Sequence, residues 1–353
     1  MKRLTFTGTA VGTLLLLFST ILFNLSSPAE AAGKKQLQKK TAKPGRMIIL
    51  GKYNDISSVK RIFKTSKDSA APLTAASSPR KRSPEKAIDP GRIGKQISAR
   101  SAIIIDARSG ETLFAKAPDN PRQPASTIKI LTGMIALQSL SGSEQVAVSR
   151  WAADQPRSKV DLNPKKQYRA NDLINAVLLA SANDASVALA EKIAGSESSF
   201  ARMMTEKARQ WGARNTVCKT ATGLTAKGQT STARDLAVMF RHVMQNPAFA
   251  SRMKQVKVKT SYGSLLRNHN KALWQVEGTQ GGKTGFTNAA RQTYVGKFKR
   301  GEQEIVVAVM GCETMWADVK KLVQHGFTLN SQQEATARPP RIEVRDIVAQ
   351  SQP

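Results

Sequence analysis

The order of hydrophobic patterns along residues 97–327 is the strongest constraint on the fold. "SAIIIDARSGETLFAK" predicts a β-hairpin with strands at 102–106 and 112–114. "VKVKT", "RQTYVGKFKR" and "EIVVAVMG" predict further strands after residue 255, and "WADVKKLVQHGF" predicts a closing helix. Because sheets need several strands to bury a face, we expect the strands at the two ends to share one sheet.

The stretch between these strands has helical spacing throughout. "STIKILTGMIALQSL" predicts a buried helix, "SSFARMMTEKARQWG" a second and "STARDLAVMFRHVMQN" a third. "RANDLINAVLLASANDASVALAEKIAG" predicts two helices, at 173–180 and 185–193, with a break at 181–184. The middle of the chain is therefore expected to form an all-helical part beside the sheet.

The residues outside this region predict export and a tether. Residues 1–32 carry a basic start, an apolar run and an Ala-x-Ala ending at Ala29–Ala31, which is typical of a signal peptide that is either cleaved or kept as an anchor. Between residues 33 and 95 there are 17 lysines or arginines against four acids, so we expect residues 33–96 to be a disordered basic linker. Residues 97–329 form the predicted folded domain, and residues 330–353 a polar tail.

The net charge of +30 bears on the partners. In a cytosolic protein it would indicate nucleic acid first. Export makes an anionic membrane or cell-wall surface the expected partner instead, reached through the basic linker, in the periplasm or cell-wall space. The two cysteines, Cys218 and Cys312, could form a disulfide or remain two buried thiols, and both alternatives stay open. The three histidines do not have the spacing of metal ligands, so we expect no metal site.

Ser126 and Lys129 lie three positions apart in "PASTIKILTGM", where the first apolar helix begins. At this spacing the two side chains share one helix face, so the amine can contact the hydroxyl. Either the serine caps the helix and the lysine faces solvent, or the serine is a nucleophile and the lysine its base. The second interpretation needs burial or a nearby positive charge to lower the pKa of the lysine. Helix propensity by itself favours the cap.

Ser181 and Asn183 occupy the break between two predicted helices. A hydroxyl there can relay a proton, and an amide can hold a substrate carbonyl or the lysine, although a helix cap explains the pattern equally well. Farther along, "GTQGGKTGFT" places Lys283, Thr284 and Gly285 before a predicted strand. A cation and a hydroxyl on a strand edge suit a substrate carboxylate, and the glycine permits close backbone approach.

A phosphate-binding loop is the alternative interpretation of "GGKTG". The position where that motif needs its first glycine is Glu277, and no strand-to-helix transition follows. The carboxylate interpretation is therefore preferred.

Together the motifs Ser-x-x-Lys, Ser-x-Asn and Lys-Thr-Gly, in this order, are the signature set of active-site-serine penicillin-binding proteins and β-lactamases. The segments "IIIDARSGETLFAKAPDNPRQPASTIKILTGMIAL", "DLINAVLLASANDASVALAEKIAG" and "GGKTGFTNAARQTYVG" closely resemble serine-type D-alanyl-D-alanine carboxypeptidases, the low-molecular-mass penicillin-binding proteins. The resemblance covers about residues 97–327. It implies an α/β (α+β) class, β-lactamase/transpeptidase-like fold, with an antiparallel sheet flanked by helices plus an all-helical subdomain.

The resemblance also implies an activity, which is removal of the terminal D-alanine from peptidoglycan pentapeptides through an acyl-enzyme. β-Lactams would acylate the same serine, and no cofactor or metal is implied. The roles carried over are Ser126 as nucleophile, Lys129 as base, Ser181 as proton relay, Asn183 for substrate orientation, Lys283, Thr284 and Gly285 for the terminal carboxylate, and the N–H groups of Ser126 and Phe286 as the oxyanion hole.

Two departures concern carboxylate recognition. Family members often continue after the Lys-Thr-Gly strand with Ala-Gly and a tyrosine or cysteine, where this chain has Ala289-Ala290-Arg291. They also often carry an arginine beyond the last strand, where this chain has "GCETMWADVKK". Arg291 is the replacement that the sequence offers.

Three alternative functions stay open. A D,D-endopeptidase would use identical residues on peptidoglycan cross-links. A class A β-lactamase would need a glutamate on a loop after Ser-x-Asn, and "NTVCKTATGLTAKG" has none. A non-catalytic wall-binding protein would be expected to have lost Ser126 or Lys129.

Overall fold

The computed structural model describes residues 90–337. The strands are β1 Ser101–Asp106, β2 Thr112–Lys116, β3 Gln145–Ala147, β4 Gln167–Arg169, β5 Lys257–Lys259, β6 Leu265–Arg267, β7 Thr279–Thr287, β8 Arg291–Arg300 and β9 Gln303–Cys312. The helices are α1 Pro90–Gln96, α2 Lys129–Ser139, α3 Arg150–Ala153, α4 Ala170–Leu178, α5 Asn183–Ala194, α6 Glu197–Gln210, α7 Ala233–Val243, α8 Pro247–Met253, α9 Ala272–Gln275 and α10 Met315–Ala337.

One five-stranded antiparallel sheet joins the two ends of the domain. Its strand order is β2-β1-β9-β8-β7, so the N-terminal hairpin pairs directly with the last strand. The prediction that the terminal strands share a sheet is confirmed, as is the α/β class with an antiparallel sheet flanked by helices and an all-helical part. Strand β7, which carries Lys283, lies at an edge of this sheet.

Both faces of the sheet are buried, and alternate residues of β1 and β9 enter two different cores. Ile103 and Ile105 face a core that includes α2, α4, α5 and α7. Ile104, between them, faces a second core built with α10. This is the period-two pattern of a strand covered on both sides, which explains why "SAIIID" and "EIVVAVMG" are continuously apolar.

Helix α2 runs through the interior of the helical part. All of its residues from Lys129 to Ala136 are buried. Helix α4 packs so closely on it that a Cβ atom at Gly133 would lie 2.4 Å from a methyl group of Leu178. Because α2 is enclosed in this way, the lysine at its first position is held inside the protein.

The boundaries of the folded region differ from the predicted ones. Helix α1 lies within the predicted linker, and its Ile93 is fully buried in the core with α10, so the ordered domain begins before residue 97. Helix α10 continues to Ala337, past the predicted boundary at 330. Helix α1 is a short apolar turn among charged residues, and a pattern of this length is too short to predict a helix from the sequence. The predicted signal, residues 1–32, linker residues 33–89 and tail residues 338–353 lie outside the described residues.

The remaining sequence predictions concern single elements. The two helices expected at 173–180 and 185–193 are α4 and α5, separated at Ser181 as predicted. Thr232 caps α7 by accepting a hydrogen bond from the Asp235 amide at 3.0 Å. Cys218 and Cys312 are buried free thiols. Within residues 90–337, no helix combines the length and apolarity needed to cross a membrane.

Candidate active site

Ser126 lies inside a short 3₁₀ turn, Ala125–Ile128, which leads directly into α2. It does not occupy the helix N-cap, and the capping interpretation of the sequence is therefore wrong. Its hydroxyl oxygen instead accepts a hydrogen bond from Lys129 Nζ at 2.9 Å. The turn places the serine at the surface of a cleft and the lysine immediately beneath it.

Lys129 is completely buried and has three oxygen neighbours. Besides the hydroxyl of Ser126, its Nζ donates to Asn183 Oδ1 at 2.7 Å and to the carbonyl of Thr222 at 2.6 Å. Burial, reinforced by the positive charge of Lys283, lowers the pKa of Lys129 well below its usual range, although Asp184 opposes the shift. In the neutral amine only two hydrogens remain for the two fixed acceptors, so the serine hydroxyl can donate to Nζ.

A second buried lysine faces a second serine. Lys283 on β7 donates from Nζ to Ser181 Oγ at 2.9 Å and to the carbonyl of Thr284 at 3.0 Å. Burial lowers the pKa of Lys283 to about 7. Ser181 is held in a left-handed conformation, φ 59°, at the turn between α4 and α5. Such backbone strain in a non-glycine residue often accompanies a functional role.

Asn183, the first residue of α5, is fixed on both sides of its amide. Its Oδ1 accepts from Lys129, while its Nδ2 donates to the carbonyl of Pro156 at 2.8 Å. Its backbone N–H donates to the carbonyl of Ser158 at 2.7 Å. The side chain therefore has one orientation, with its oxygen toward the buried lysine.

Strand β7 passes very close to the serine. A Cβ atom at Gly285 would lie 2.8 Å from the Ser126 amide nitrogen, 2.9 Å from that of Thr127 and 2.5 Å from Thr293 Oγ1. Only glycine fits between the strand and the 3₁₀ turn. Phe286 follows it and is 60% exposed at the cleft.

These elements enclose a cleft of about 430 Å³. Ser126, Ser181, Asn183, Thr284, Gly285 and Phe286 line it, and Lys129 and Lys283 lie beneath, hydrogen-bonded to lining serines. All eight residues singled out in the sequence are thus brought together. The other lining residues are Arg157, Ser158, Leu224, His269, Lys271, Gln292, Met315 and Trp316.

Sequence reasoning missed these further lining residues because no local motif marks them. His269, one of the three histidines of the chain, is among them; burial together with the positive charges of Lys283 and Lys129 lowers its pKa to about 4, so it is neutral near pH 7. Arg291, the sequence's replacement for the missing arginine, is not among the lining residues. Its guanidinium lies 4.0 Å from Glu313 and is half exposed.

The family model for D-alanyl-D-alanine carboxypeptidases matches residues 85–314. The chain belongs to this family. It is 35% identical over 245 residues to the carboxypeptidase DacB2 of Mycobacterium tuberculosis, covering 66% of this chain and 84% of that one. It is 32% identical to the carboxypeptidase DacF of Bacillus subtilis, covering 65% of this chain but only 62% of that relative.

A solved structure shares the same architecture. Penicillin-binding protein D2 from Listeria monocytogenes, in its ampicillin-bound form, aligns with a TM-score of 0.61 and 27% identity, covering 65% of this chain and 98% of that one. The family resemblance and the fold inferred from the motifs are confirmed. We therefore interpret this cleft as that of a member of the D-alanyl-D-alanine carboxypeptidase family.

The contact between Gly285 and the serine turn makes a specific prediction. Gly285→Ala should slow acylation of the protein by a β-lactam about 100-fold, because the added methyl group must displace Ser126 from its position against Lys129. Acylation is measured by stopped-flow competition with a fluorescent penicillin.

The matched control is Gly142→Ala, where the nearest atom to an added Cβ is 3.5 Å away, an ordinary contact. Both variants should keep a cooperative urea transition. Unchanged acylation in Gly285→Ala would show that the close approach is not needed.

Proposed function

We propose that this protein is a serine-type D-alanyl-D-alanine carboxypeptidase that removes the terminal D-alanine from peptidoglycan stem peptides through an acyl-enzyme on Ser126. The observation that carries the proposal is the 2.9 Å contact between Ser126 Oγ and a completely buried Lys129 Nζ, at the bottom of a cleft. Family membership supports the reaction and the substrate class.

Acylation begins with the neutral amine of Lys129. It takes the hydroxyl proton as Ser126 Oγ attacks the carbonyl carbon of the scissile bond. The proton is held at Nζ between the oxygens of Asn183 and Thr222, which are already hydrogen-bonded to this nitrogen. Burial and the charge of Lys283 lower the pKa of the lysine well below its usual range, which favours the neutral amine that this step needs.

The backbone N–H groups of Ser126 and Phe286 stabilise the negative charge that develops on the carbonyl oxygen. The distance of 2.8 Å between the Gly285 Cβ position and the Ser126 nitrogen supports this role, because it brings strand β7 alongside the serine turn. Preorganised backbone donors need no rearrangement during the reaction.

Ser181 passes a proton to the departing D-alanine. Its hydroxyl accepts a hydrogen bond from Lys283, whose ammonium group and the Thr284 hydroxyl bind the terminal carboxylate. Lys271, on the cleft wall two residues after His269, is the additional cation that we assign to this carboxylate in place of Arg291. Ser181 recovers its proton from Lys129 Nζ, which leaves that amine neutral again. Water then hydrolyses the ester on Ser126, while Lys129 accepts the proton of the attacking water and returns it to Ser126 Oγ.

Removal of the nucleophile gives the direct test. Wild-type protein should be covalently labelled by fluorescent penicillin and should release D-alanine from a pentapeptide, whereas Ser126→Ala should do neither, because no hydroxyl remains to form the ester. Labelling is measured on denaturing gels and by intact mass, and D-alanine with a coupled oxidase.

A labelled Ser126→Ala variant would contradict the assignment of the nucleophile. A cross-linked peptide dimer serves as the second substrate, since a D,D-endopeptidase would cleave the dimer and leave the pentapeptide intact. Rapid turnover of penicillin without a stable adduct would indicate a β-lactamase, and an unlabelled wild-type protein a non-catalytic wall-binding function.

The two buried lysines predict the pH dependence. The ammonium form of Lys283 is needed for the carboxylate, and its pKa is about 7, so kcat/KM should fall as the pH rises through about 7. On the acid side, kcat/KM should fall only at the pH at which Lys129 becomes protonated. The lowered pKa of Lys129 places this pH below the usual range for a lysine. The measurement is D-alanine release from about pH 5 to about pH 9, with circular dichroism as a control for folding; a flat profile above about pH 7 would refute the role of Lys283.

We also propose that the protein is exported to the periplasm or cell-wall space and is held at an anionic membrane or wall surface by the basic residues 33–89. The support is the charge of this segment and the apolar run before it. Replacing its lysines and arginines by glutamine, which keeps its length, should abolish salt-sensitive sedimentation with vesicles containing anionic lipid or with isolated wall material. Salt-insensitive or unchanged binding would make the segment a spacer.

A further inference from the structure

The cleft has two chemically different ends. Ser181 and Lys283 mark one end, and the assigned proton relay places the leaving D-alanine there. Asn183 and Ser126 both contact Lys129 Nζ, and the role assigned to Asn183 puts the acyl part of the peptide beside its amide. The residue that precedes the two D-alanines then extends past Asn183, about 3.5 Å farther for each position along the chain.

Arg157 lies at this acyl end. The carbonyls of the residues on either side of it, Pro156 and Ser158, accept the side-chain and backbone N–H groups of Asn183, at 2.8 and 2.7 Å. The arginine is therefore positioned by the same residue that orients the acyl group. Its side chain lines the cleft.

A fully buried carboxylate holds the segment that carries Arg157. Asp184, next to Asn183, accepts backbone hydrogen bonds from Val160 at 3.1 Å and from Leu162 at 3.1 Å. These bonds fix the chain just after Arg157 to the start of α5. The position of the arginine backbone is thus set by the helix that carries the substrate-orienting amide.

The guanidinium itself is free to take another partner. Its side chain is 77% exposed, and its ion pair with Asp161, at 3.4 Å, is equally open to solvent, so exchanging it for a ligand carboxylate costs little. None of the residues that line the cleft in the described part of the chain is an acid. A carboxylate entering at this end therefore meets the Arg157 guanidinium and no acidic lining residue, and it competes for the arginine with the exposed Asp161.

We propose that Arg157 forms a subsite for a carboxylate on the side chain of the residue that precedes D-Ala-D-Ala, and so selects stem peptides with a diamino dicarboxylic residue over those with lysine. The inference rests on the proposed function and names its substrate class. Asp161 beside the arginine suits the ammonium group that accompanies such a carboxylate. Arg157 contacts the substrate away from the reacting atoms and determines specificity.

The test uses the full-length protein and three pentapeptides that differ only at the third residue: meso-diaminopimelate, its side-chain carboxamide, and lysine. For wild type, kcat/KM for D-alanine release should be about tenfold higher with the carboxylate than with the carboxamide or lysine peptide. Arg157→Gln should reduce this ratio to about one, and Arg157→Lys should restore part of it. Penicillin acylation and kcat/KM for the carboxamide peptide should stay within about twofold of wild type, which a general structural defect would not allow.

Lys159→Gln is the matched control, because Lys159 lies on the same segment, 3.8 Å from Asp161, but does not line the cleft. It should keep the wild-type ratio. A ratio of about one in wild type, or an unchanged ratio in Arg157→Gln, would overturn the proposal. If wild type releases no D-alanine, the proposed function fails separately; the subsite is then judged from Kd values of the carboxylate and carboxamide peptides on Ser126→Ala, with equal values overturning it.

Discussion

The burial of Lys129 is the constraint on which the rest of the site depends. A lysine without solvent is stable only if its nitrogen has hydrogen-bond partners or is uncharged. Here the partners are contributed by the serine turn, by Asn183 on α5 and by the Thr222 carbonyl. Each partner comes from a different segment of the chain. The hydrogen bonds to the lysine nitrogen therefore also fix the positions of these segments relative to one another.

The second buried lysine, Lys283, extends the site beyond the local Ser-x-x-Lys motif. Lys283 comes from the edge strand β7, and its positive charge lowers the pKa of Lys129 across the cleft. The sheet and the helical part therefore contribute one lysine each, and the positive charge of Lys283 favours the neutral form of Lys129. Glycines allow the required approach: a Cβ atom at Gly223 would lie 2.0 Å from the Ala125 carbonyl oxygen, and one at Gly285 2.8 Å from the Ser126 nitrogen.

The cations at the cleft fit a substrate with several carboxylates. Lys271 and Arg157 line the cleft, and Lys283 lies beneath it, hydrogen-bonded to Ser181. The arginine that relatives often carry beyond the last strand is absent, and Arg291 faces Glu313. Under the proposed function, carboxylate recognition is distributed over residues that adjoin the catalytic motifs.

The sequence by itself determined the α/β class, the shared sheet and the eight motif residues, because hydrophobic periodicity and short motifs are local properties that a single chain displays. Only the tertiary structure decided that Ser126 contacts Lys129 instead of capping a helix, since burial of the lysine depends on how α4 packs on α2. It also decided that Arg157, His269 and Lys271 line the cleft and that Arg291 does not. Isolated charged residues carry no local pattern, and their roles follow from contacts between segments far apart in the chain.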